Sequence, residues 1–182
     1  MKKSLGYLTI AVSLFSGSLL AEEVPSVKEI TRQIIVATTK YANAVSCGGV
    51  QITPKQIAAL APYKDFYARD EAEYAVLWHG DIGCAGGTAT TTPEIAIVKV
   101  GTGDSFMVDA QHSSPAIKFD IPVPYVERLV GNNRDSLILE GLEYGSNDSQ
   151  SSPSIRVRFV VMRDNKGNWK TVSKEVRGYQ RD

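Results

Sequence analysis

Apolar residues recur at Val27, Ile30, Ile34, Tyr41, Ala42 and Val45, close to the period of a helix, with Lys28, Gln33 and Lys40 on the rest of the wheel. Ser26 followed by Glu29 has the form of a capping box, and Cys47-Gly48-Gly49 ends the run. One long N-terminal helix is therefore predicted. A short second helix is expected over residues 54–60, with Thr53 as N-cap, Pro54 as its first residue, Gln56 closing a second capping box and Pro62 as the stop. Residues 63–73 mix aromatic and charged side chains without a period and read as a loop or a frayed helical turn.

From residue 74 the pattern shortens to strands. Apolar or alternating runs cover residues 74–79, 94–100, 105–109, 116–121, 125–130, 136–142, 155–161 and 169–172. Turn residues separate them: Gly101-Thr102-Gly103-Asp104, then 131–135, then Asp164-Asn165-Lys166-Gly167-Asn168. The polar tract 145–152 reads as a mobile loop. Strands joined by turns, with no helical pattern between them, imply an antiparallel meander of about seven or eight strands. The expected class is α+β, the two helices packing on one curved antiparallel sheet. The closing hairpin resembles that of cone-shaped α+β domains, the cystatin-like and nuclear-transport-factor-like ones among them, over some twenty residues. That resemblance implies a twisted edge hairpin and no particular activity.

The first residues follow a different rule. Lys2-Lys3, a largely apolar run from residue 5 to 15, then Ser16, Gly17, Ser18 and Ala21 before Glu22 have the layout of a secretory signal peptide. Residues 1–21 are expected to be cleaved, leaving 22–182 as a single exported domain in the periplasm or outside the cell, with no membrane span in the mature form. The leader holds two of the 20 basic residues and none of the 20 acidic ones, which leaves 18 against 20. A nearly neutral domain with dispersed charge argues against nucleic acid and anionic membranes as partners.

Export changes the reading of the cysteines. Cys47 and Cys84 are the only two in the chain, and an even count in an oxidising compartment predicts one disulfide. The glycines beside both sulfurs favour close approach of the two backbones.

Candidate chemistry is sparse. The segment Trp78-His79-Gly80-Asp81-Ile82-Gly83-Cys84-Ala85-Gly86-Gly87-Thr88 concentrates the unusual residues, but it lacks the lysine and the following helix of a phosphate-binding loop. Two isolated histidines without paired ligand spacing predict no metal, and nothing calls for a cofactor. Ser113-Ser114-Pro115 beside His112 is not a nucleophile elbow. The expectation is an exported, non-enzymatic binding or inhibitory protein, of the kind represented by immunity proteins and hydrolase inhibitors. Trp78, His79, Asp81, Gly86, Gly87 and Thr88 would form the contact surface for another envelope protein or a small ligand. The alternative is a small periplasmic hydrolase or isomerase with His79 or His112 as general base, oriented by Asp81 or Asp109.

Overall fold

A computed structural model describes residues 24–87, 90–149 and 152–179. The expected leader and Thr88 lie outside that range. Helix α1 spans Val27–Val45, and Ser26 Oγ accepts the amide of Glu29 at 3.2 Å. The capping box is only half made, because the Glu29 carboxylate turns to Arg32 and Gln33. Among the described residues no helix is long and apolar enough to cross a membrane.

The second helix does not form. Pro54–Gln56 make a single 3₁₀ turn, and the chain then enters strand β1, Ile57–Ala61. Gln56 still reaches back to the Thr53 amide at 2.7 Å, but its Nε2 donates to the Leu77 carbonyl and draws the segment onto the next strand. Pairing of β1 with β2 (Glu73–Gly80), which buries Ala58 and Leu60, outweighs the helical preference of an alanine-rich run.

The strands make two sheets, not one meander. The first has the order β1-β2-β3-β4, with β3 at Thr92–Val100 and β4 at Phe106–Val108. The second has the order β5-β9-β8-β7-β6, from Phe119–Asp120, Tyr125–Asn133, Ser136–Glu143, Ile155–Arg163 and Trp169–Tyr179 in chain order. The expected hairpins β3–β4, β6–β7 and β8–β9 all form. The predicted strand at 116–121 shrinks to β5, which pairs parallel with the start of β9.

Three layers result. Ala75, Leu77, Ile95 and Ile97 of the first sheet face Leu137, Leu139, Val157, Phe159, Val161 and Trp169 of the second. On the other side of the first sheet, Ile30 and Ile34 of α1 cover Tyr74, Val76 and Val98, while Ala42 and Val50 cover Trp78 and Ala96. A sheet covered on both faces reads as an unbroken apolar run, as β2 and β3 do, whereas β8 alternates because its outer face meets water.

Candidate functional site

Strand β2 carries the segment of interest to one end of the sandwich. Its alternate residues point opposite ways, so Trp78 lies beneath α1 and His79 points between the sheets. Trp78 is fully buried. It belongs to the core and offers nothing to a partner. A Cβ on Gly80 would stand 2.3 Å from the Trp78 ring and 2.8 Å from Ser46 Oγ, so only glycine lets this strand end dock against the end of α1.

Beyond Gly80 the chain is tied down several times. Cys47 and Cys84 form the expected disulfide, and the Cys47 amide donates to the Asp81 carbonyl at 3.0 Å. The Asp81 side chain is buried and turns into its own loop, accepting the Gly86 amide at 2.9 Å and the Ala85 amide at 3.3 Å. These bonds, that from Gly86 foremost, hold its carboxyl below the ordinary aspartate range. Gly86 and Gly87 have φ of 76° and 108°, the left-handed region that side chains with a Cβ avoid. Residues 83–87 are all exposed. The product is a protruding loop on a fixed base. Asp81 supports it and does not orient His79.

Next to it is a cleft of about 260 Å³, lined by Thr53, Lys55 and Gln56 before β1, Leu77 and His79 of β2, and residues 126–129 of β6. It opens where β1 and β6, on neighbouring edges of the two sheets, splay apart; further along, Asn132 Nδ2 closes the gap by donating to the Ala59 carbonyl at 2.7 Å. Leu77, Val126 and Leu129 make the floor apolar, and Lys55, Glu127 and Arg128 charge the rim. Arg128 is held by Glu140, which also takes Arg158, and Glu127 faces Arg156 at 3.5 Å. Lys55 has no ion-pair partner among the described residues. The volume falls just below the roughly 300–1,000 Å³ of small-molecule sites, so it suits a small molecule or one protruding side chain. The His79 ring lies tilted beside that of Tyr125, their centroids 6.0 Å apart, and its Nε2 is buried with no hydrogen-bond partner among the described residues. Burial lowers its pKa, so it is neutral at neutral pH.

The other histidine sits elsewhere. His112 Nδ1 is 2.8 Å from Asp109 Oδ2, and Lys99 Nζ is 2.8 Å from the same oxygen. Burial alone would raise Asp109, but these bonds and the Lys99 charge outweigh it and keep the carboxyl lowered. Ser113 and Ser114 are structural: their hydroxyls accept the β3 amides of Ile97 at 2.8 Å and Ile95 at 3.3 Å. They stand in for a further strand on the edge of β3. Tyr41 of α1 then binds the Ser114 carbonyl at 2.8 Å.

The structure thus brings His79, Asp81, Gly86 and Gly87 to one end, with Cys47–Cys84, and sets Asp109 and His112 apart as a pair of their own. Lys55, Arg128 and Leu129 were not foreseen, because their proximity to His79 depends on pairing between distant strands. Among the described residues no group of three or more acidic, histidine or cysteine side chains is placed to hold a metal ion. No family model, no curated protein and no solved structure matches this chain.

Proposed function

We propose that this chain is an exported, periplasmic or secreted, non-enzymatic binding or inhibitory protein. It engages another envelope protein or a small ligand through the loop after β2 and the cleft beside it. One observation carries the reading: residues 83–87 are exposed while the disulfide at Cys84, the Cys47–Asp81 backbone bond and the Asp81 carboxylate on the Ala85 and Gly86 amides hold their loop in place. A loop ordered before binding gives up less conformational entropy on contact. The cleft supplies an adjoining apolar recess, and the reading requires no cofactor.

The test is site-specific photo-crosslinking in envelope extract, with the probe at Ala85 in one sample and at Met162, on the outer face of β8, in another. A product formed from position 85 and competed away by unlabelled protein supports the reading. Equal labelling from both positions overturns it. A small hydrolase or isomerase is favoured only by the Asp109–His112 pair, which holds the imidazole as a general base requires. Ester turnover abolished by His112→Ala would establish that alternative.

A further inference from the structure

The cleft beside His79 is not the only hollow against β6. A second, more open one of about 270 Å³ is lined by Glu127, Arg128, Glu140 and Arg156. The two hollows share Glu127 and Arg128. The β6–β7 register shifts between Val126 and Arg128, which leaves Glu127 as the extra residue of a bulge. A bulge re-aims the side chains around it. Here Arg128, although bound to Glu140 of β7, still lines the apolar cleft.

The charges around this mouth do not cancel. Lys55, Arg128, Arg156 and Arg158 stand against Glu127 and Glu140, four cations to two carboxylates. Residues 22–182 as a whole carry 18 basic and 20 acidic side chains, so the excess is local. Glu140 is buried and spent on Arg128 and Arg158, while Glu127 faces Arg156. Lys55 is exposed and has no ion-pair partner among the described residues. Beneath it the floor is Leu77, Val126 and Leu129. Gln56 has already given its amide to the Leu77 carbonyl and its oxygen to Thr53. An occupant therefore meets apolar contact inside and a positive potential at the mouth. We infer that the cleft binds a small amphipathic anion, a short aliphatic tail ending in a carboxylate, with the tail on the floor and the carboxylate beside Lys55. The ligand class rests on the reading of this cleft as a binding site. A free fatty acid and the apolar last residue of a polypeptide both supply that chemistry.

Titration of the disulfide-bonded protein with butanoate, hexanoate and octanoate tests this, followed through the amide resonances of residues 53–56, 77–79 and 126–129. The acids shift these amides and saturate at one molecule per chain. Affinity rises roughly threefold per added methylene while the cleft fills. Hexanol and hexylamine bind about threefold to tenfold more weakly than hexanoate. Lys55→Glu weakens hexanoate by a similar factor and leaves hexanol unchanged. Arg156→Gln, which frees Glu127 to repel the anion, weakens hexanoate in the same sense. Arg128 is left in place because it holds the buried Glu140. Unchanged melting temperatures show that the two substitutions leave the fold intact. N-acetyl-leucine bound more tightly than hexanoate assigns the site to a polypeptide C-terminus, and the reverse order assigns it to a free acid. No shift at ~10 mM octanoate, hexanol as tight as hexanoate, or a Lys55→Glu protein that binds hexanoate normally would each overturn the ligand class. If octanoate fails while the crosslink from position 85 persists, the ligand class falls and the binding loop stands.

Discussion

Glu73 and His79 stand at opposite ends of the same row of β2, on the face that packs against the second sheet, and the two ends are treated differently. At Glu73 the sheets are clasped: Arg163 of β8 donates to both carboxylate oxygens at 2.9 Å and to Asp135 at 3.1 Å, and its guanidinium lies 5.6 Å over the Trp169 ring. The bond to Glu73 is the main reason the Arg163 pKa rises. Lys99 joins the same group from β3 and leads on to Asp109 and His112. At His79 a cleft opens instead, and among the described residues the imidazole Nε2 is buried with no hydrogen-bond partner. One end spends its polar groups on stability and the other leaves them available. The disulfide sits at the open end, but it ties the end of α1 to the loop after β2 and not one sheet to the other.

Removing that tie is the largest test of the contrast. Cys47→Ser with Cys84→Ser releases a loop closed over a separation of 37 residues. The expected loss is about 3–4 kcal/mol in urea unfolding. A loss below about 1 kcal/mol would mean that Asp81 and the backbone bridge hold the open end unaided.

The closed end should be nearly as sensitive. Arg163→Met leaves Glu73 with only the longer contact to Lys99 and is expected to cost about 2–3 kcal/mol. A cycle with Glu73→Gln would separate the pair from the packing on Trp169. If Arg163→Met costs nothing, the clasp is decoration and the comparison fails.

His79 gives a smaller effect with a definite sign. Its pKa is lowered in the folded state, so the unfolded chain binds the proton more readily. That contribution is complete above the unfolded value and declines as pH falls through it toward the folded value. Melting temperature should therefore drop between about pH 7.5 and 5.5, before the lowered carboxylates Asp81, Asp109 and Glu140 begin to titrate. His79→Gln should flatten that slope. His79→Leu should add about 1 kcal/mol at pH 7 by removing an unpaired buried nitrogen. A wild-type slope unchanged in His79→Gln would remove His79 from the account.

The smallest effect falls on Lys55. Lys55→Glu should leave stability within about 0.5 kcal/mol, since the residue is exposed and unpaired among the described residues. Any loss of photo-crosslinking at the loop would then report on recognition alone.

Much of this was legible before folding. The spacing from Val27 to Val45, the turn residues of three hairpins and the paired cysteines each declare themselves over a few positions. Residues 57–61 misled, because alanines favour a helix in isolation and only the approach of β2 makes them a strand. Trp78 misled for a similar reason: a tryptophan beside a glycine-rich loop resembles a contact residue until α1 is seen to cover it. His79 with Asp81, and His112 with Asp109, had equal standing as sequence neighbours. Coordinates separated them, since Asp81 spends its oxygens on loop amides and Asp109 binds its histidine.

The chain's own order of residues settled the long helix, most of the strands and the turns of three hairpins, and that two sulfurs would pair. Those properties follow from backbone preferences and periodic burial, which act over a few neighbouring positions. The division of the nine described strands between two sheets, the clasp at Glu73 and the cleft at His79 were decided only by tertiary structure. Each depends on which distant strands come together, and that balance of pairing and burial is summed over the whole fold.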